Sequence, residues 1–107
     1  MKINRMRNIN DERKDYIINA KILEQNDFIL KKVEFGDVDE WTCEVDDSNN
    51  RTYKMKMKDE NVYVIDELTY IALVIANIAS NISIRDPYGR IIFDEVYNKI
   101  IKPPIEV

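Results

Sequence analysis

Between Trp41 and Lys58 the side-chain character changes at every second residue, and this constrains the fold more than any other feature. Trp41, Cys43 and Val45 alternate with Thr42, Glu44 and Asp46, while Tyr53, Met55 and Met57 alternate with Lys54, Lys56 and Lys58. A period of two belongs to a pleated strand, whose successive side chains point to opposite faces. Asp47-Ser48-Asn49-Asn50, four turn-forming residues, separate the runs, so the segment reads as a β-hairpin. One face is apolar. The other is acidic on one strand and basic on its neighbour, and opposite charges facing across strands contribute roughly 0.2–1 kcal/mol per pair.

The flanking sequence extends this sheet. Phe28 to Val33 alternates as a strand that ends before Gly36, and Asp59-Glu60-Asn61 turns the chain into a short apolar strand, Val62–Ile65. Helices are expected around it. Asn10 suits an N-cap, with Asp11 and Glu12 at the positive end of the dipole. Tyr16, Ile17, Ala20 and Leu23, joined by Ile18 and Ile22, then form an apolar stripe at helical spacing that stops at Asn26-Asp27. Ile3, Met6 and Ile9, three apart, would extend that helix towards the N-terminus; otherwise residues 1–9 read as a flexible arm.

Asp66 caps a second helix, apolar on nearly all sides from Leu68 to Ala79, which implies burial against the sheet and a further helix or second subunit. Asp86-Pro87-Tyr88-Gly89 fits a type I turn joining residues 81–85 to 90–92. Asp94 caps a last helix with Val96, Tyr97, Ile100 and Ile101 on its apolar face, stopped by Pro103-Pro104. The expected fold is α+β: 107 residues in a single domain, an antiparallel sheet of four to six strands packed against two to three helices.

Composition narrows the function. With no histidine, Ser-His-Asp and Cys-His catalysis, His-ligated metal and an imidazole switch all fall away. One cysteine allows neither an intramolecular disulfide nor a cysteine metal cluster. The most apolar run, Leu68–Ala79, falls short of the roughly 20 residues a bilayer needs. A cytoplasmic protein with no membrane partner and no cofactor is the expectation. Seventeen isoleucines against four leucines, with 11 asparagines and 10 lysines, reflect AT-rich codons and suggest a phage, plasmid or low-GC bacterium.

Charge comes in blocks. Residues 35–50 hold six acids and no base, residues 51–58 hold four bases and no acid, and the whole chain sums to −4. Asp37-x-Asp39 has the spacing for two carboxylates on one strand face, where they would share a divalent metal, but no Gly-Ser phosphate loop precedes it, so a solvated acidic loop is the plainer reading. Asp46 to Asn50 lacks the glycine and the terminal glutamate of a calcium loop. Cys43 alternates with Trp41 and Val45 and reads as a core residue, with no histidine to activate it.

The expected function is accordingly non-enzymatic: a small acidic inhibitor or immunity-type protein that binds another protein with a basic surface. Its partner-binding residues would be Asp37, Asp39, Glu40, Trp41, Glu44, Asp46 and Asp47. The alternative is a winged-helix or β-ribbon nucleic-acid-binding accessory protein using Arg5, Arg7, Lys54, Lys56 and Lys58. A homodimer through the 68–79 helix is a secondary expectation.

Overall fold

The computed structural model describes residues 1–78 and 95–101. The central hairpin forms as the alternation requires. Strand β4 (Val38–Val45) pairs antiparallel with β5 (Arg51–Met57), setting Trp41 opposite Met55, Cys43 opposite Tyr53 and Thr42 opposite Lys54. Asp46 builds the turn. Its Oδ1 accepts hydrogen bonds from the backbone N–H groups of Ser48 and Asn50, both at 2.9 Å, while Asn49 takes up the left-handed region at φ 64°. Strand β6 (Val62–Ile65) continues the meander, and the sheet is completed by β1 (Lys2–Arg7), β2 (Ile17–Glu24), β3 (Asp27–Glu34) and the short β7 (Ile100–Ile101). The order is β1-β4-β5-β6-β2-β3, with β7 also on β2, and every pairing is antiparallel.

The expected first helix is instead a strand. Asn10 does cap, its side chain accepting from the Glu12 N–H at 3.2 Å, but only for a 3-10 turn over Asp11–Arg13. Ile18, Ala20 and Ile22 are buried together on one face of β2, a period of two that outweighs the helical spacing of Tyr16, Ile17, Ala20 and Leu23. Three β-branched isoleucines favour the extended form. Gln25 and Asn26 then close a two-residue hairpin into β3, with Gln25 at φ 56°. Residues 2–7 are likewise neither helix nor free arm; all six pair with β4, with Met6 opposite Trp41.

Helix α1 (Glu67–Ile78) covers the inner face of the sheet. Asp66 Oδ1 accepts from the Thr69 N–H at 2.8 Å, the expected N-cap, and Thr69 Oγ1 in turn accepts from the Lys21 N–H at 3.0 Å. Ala72, Leu73 and Ala76 are fully buried against the sheet, whose inner core includes Trp41, Met55, Ile65 and Ile22. The burial is one-sided rather than all-round: Leu68, Tyr70, Ile71, Val74 and Ile75 are half-buried and Ile78 is exposed.

At its C-terminal end, Arg13 Nη1 donates to the carbonyls of Ile75 and Ala76 at 3.2 and 2.9 Å, placing a cation on the negative end of the dipole. Residues 95–99 are helical, but Ile100 and Ile101 leave that helix to pair with Ile18 and Ile17 of β2. The described helices are thus two, not three. The expected 81–92 hairpin, Ala79 and Pro103-Pro104 lie outside the described residues. Among those described, no helix is long and apolar enough to cross a membrane.

Asn77 ties α1 to the start of the sheet, its Oδ1 accepting from the Ile9 N–H and its Nδ2 donating to the Arg7 carbonyl, both at 3.1 Å. Asn77→Ala leaves both backbone groups without their partner. It is expected to lower stability by about 1–3 kcal/mol in urea denaturation and to speed amide exchange at Ile9.

Candidate interaction surface

The register that buries Trp41 turns the alternate residues of three strands outward together. On β1 these are Ile3, Arg5 and Arg7; on β4, Glu44, Thr42 and Glu40; on β5, Thr52, Lys54 and Lys56. The result is an acidic line flanked by two basic lines. Glu40 lies between Arg5 and Arg7, its two carboxylate oxygens 3.8 and 3.9 Å from their Nε atoms, and its side chain is only 14% exposed. Glu44 meets Lys54 at 3.2 Å. A register shift between Val38 and Glu40 swings Asp39 towards Lys56, at 3.6 Å. Lys56 also pairs with Glu60 at 3.2 Å, and its pKa is raised chiefly by that hydrogen bond.

The seven acidic-block residues do not form one surface. Asp39, Glu40 and Glu44 sit in the outer mosaic. Trp41 belongs to the opposite face, fully buried with its ring 5.9 Å from that of Phe35, so it offers a partner nothing. Asp46 is a turn-builder whose pKa is lowered, first by the backbone hydrogen bond from Asn50 and then by that from Ser48. Asp47 is solvated, 3.6 Å from the N-terminal amine. Asp37 lies in a 3-10 turn (Phe35–Asp37) outside the strand, where its carbonyl accepts from the Lys58 N–H. Asp37 and Asp39 therefore do not share a strand face, and among the described residues no group of three acids or cysteines is placed to hold a metal.

Two further features escape the sequence pattern. A cleft of about 620 Å³ opens on the inner face beyond the start of α1, lined by Cys43, Arg51, Tyr53, Glu67, Tyr70 and Ile71 among others. The Tyr53 and Tyr70 rings meet at 5.0 Å, tilted by 43°, and burial raises the Tyr70 pKa. On the outer side, Leu23, Phe28, Leu30 and Val62 are exposed large apolar residues. Only tertiary pairing brings each set together, the cleft from strand and helix, the apolar strip from β2, β3 and β6.

In comparisons with protein-family models, curated proteins and solved structures, nothing matches this chain.

The Asp46 turn carries a pH dependence of known sign. Its carboxyl is held below the ordinary 3.8, so its charged form stabilises the fold above that value, and the contribution is lost as pH falls through the folded-state pKa. Asp46→Asn keeps an acceptor oxygen but removes the titration. The stability gap between wild type and Asp46→Asn should shrink as pH is lowered from neutrality to below 3.8. A gap that widens on acidification would contradict this assignment.

Proposed function

We propose that the chain is a non-enzymatic protein-interaction protein, an inhibitor or immunity-type protein of a phage, plasmid or low-GC bacterium, that docks through the outer face of β1, β4 and β5. One observation carries the reading: the acidic β4 line is held between basic β1 and β5 lines by four contacts of 3.2–3.9 Å. Long charged side chains fixed in this way have less rotamer freedom to lose on binding. A fixed pattern of charge also rejects partners whose charges are out of step. The complementary partner presents basic groups to the Glu40–Glu44 line and acidic groups to its flanks. Asp37 and Asp47, at the two ends of β4, supply the steering charge that remains.

The nucleic-acid reading names five cations, and four of them (Arg5, Arg7, Lys54 and Lys56) lie within 4 Å of a carboxylate. Phosphates would have to displace those carboxylates, which favours a protein partner.

The test uses the full chain as bait in lysate of its own host, with and without nuclease. A protein retained by the wild type, released by moderate salt and lost on Asp39→Lys/Glu44→Lys supports the reading, given an unchanged circular dichroism spectrum for the variant. Capture that vanishes with nuclease, or a gel shift abolished by Lys54→Ala/Lys56→Ala, overturns it in favour of nucleic acid.

A further inference from the structure

Strand β3 is the far edge of the described sheet. All eight of its residues pair with β2 on one side, and among the described residues no strand pairs with the other. Six of the eight are exposed, including Phe28 at 48% and Leu30 at 62%. The two-residue turn makes Glu24 and Asp27 a hydrogen-bonded pair, and the Phe35 N–H donating to the Tyr16 carbonyl at 2.8 Å keeps the same phase at the other end. The backbone groups of Phe28, Leu30 and Lys32 therefore point to the open edge. A long open edge bearing bulky apolar side chains is a template for another strand.

We propose that the occupant is a second copy of this chain, β3 against β3, antiparallel about a twofold axis through Ile29. Residues opposite one another across such a pair lie on one face, so the axis passes through a residue position and few registers are available. Centred on Lys31, two like charges collide. Centred on Leu30, Ile29 faces the partner's Lys31 and Phe28 faces the partner's Lys32, with no opposite charges paired. Centred on Ile29, the two Ile29 side chains face each other once on the axis, while Phe28 facing the partner's Leu30 and Asp27 facing the partner's Lys31 each occur twice. Phe28 and Leu30 then exchange about four backbone hydrogen bonds across the edge.

The charges favour a copy of the same strand, because Asp27 and Lys31 stand two residues either side of Ile29. Lys31 already lies 3.0 Å from Glu24 of its own chain, so it would sit between two carboxylates. Leu23, opposite Phe28 on β2, continues the apolar strip.

Cross-linking reads the register directly. In a Cys43→Ser background, Ile29→Cys sets two sulfurs across the axis, with Cα atoms about 4.5 Å apart, inside the range a disulfide spans. Leu30→Cys sets its pair diagonally, about 7–8 Å apart, and should cross-link far more slowly. Light scattering should show a mass rising with concentration from 12.7 kDa towards twice that value. Asp27→Lys and Lys31→Asp should each weaken the dimer by about five- to tenfold, and the double swap should restore it. A mass that stays monomeric up to the solubility limit, faster cross-linking at Leu30→Cys, or failure of the double swap to rescue would overturn the proposal.

Discussion

The structure depends on one row of side chains crossing the inner face of the sheet: Met6, Trp41, Met55 and Tyr63, each opposite the next on β1, β4, β5 and β6. Trp41 and Met55, at its centre, are fully buried. Helix α1 can close over this face because it presents alanine at 72 and 76, side chains small enough to let the helix backbone come near the sheet. A buried aromatic of this size contributes several kcal/mol, and its loss typically costs about 3–5 kcal/mol. Because the strand period is two, a slip of one residue would put Trp41 in water and the glutamates in the core. Burial of Trp41 therefore fixes the register of β1, β4 and β5.

The charged outer face follows from that register without further design. Once Trp41, Cys43 and Val45 of β4 and Tyr53 and Met55 of β5 point inward, Glu40, Thr42, Glu44, Lys54 and Lys56 must share the outer face. Blocks of charge that are separate in sequence become neighbouring lines in space. The acids are then paired within the chain, and the net charge of −4 gives little idea of what this surface presents. Single exposed pairs of this kind add about 0–1 kcal/mol each, so their main consequence is to fix side-chain positions.

The central hairpin was legible because its polar and apolar residues alternate cleanly and its turn is four consecutive turn-formers. Strand β2 was not, because Tyr16, Ile17, Ala20 and Leu23 satisfy a helical spacing while Ile18, Ala20 and Ile22 satisfy a strand, and only the sheet decides between them. Strand β1 carries Lys2 and Asn4 on its inner side and Arg5 and Arg7 on its outer side, so an edge strand with polar residues on both faces gives no alternation to detect. For the surface, the acidic positions were readable but their partners were not. Arg5 and Arg7 reach Glu40 through a pairing more than thirty residues distant, and Trp41 shares the acidic run while facing the core.

The acidic and basic blocks neutralise one another across β1, β4 and β5. The most direct test of this neutralisation is the salt dependence of stability in urea, a denaturant that adds no ions of its own. Paired charges attract, so screening them between about 10 mM and 0.3 M sodium chloride should lower the unfolding free energy, by about 1 kcal/mol. An uncompensated acidic patch repels itself and gains from screening. A rise in stability with salt over that range would contradict the account.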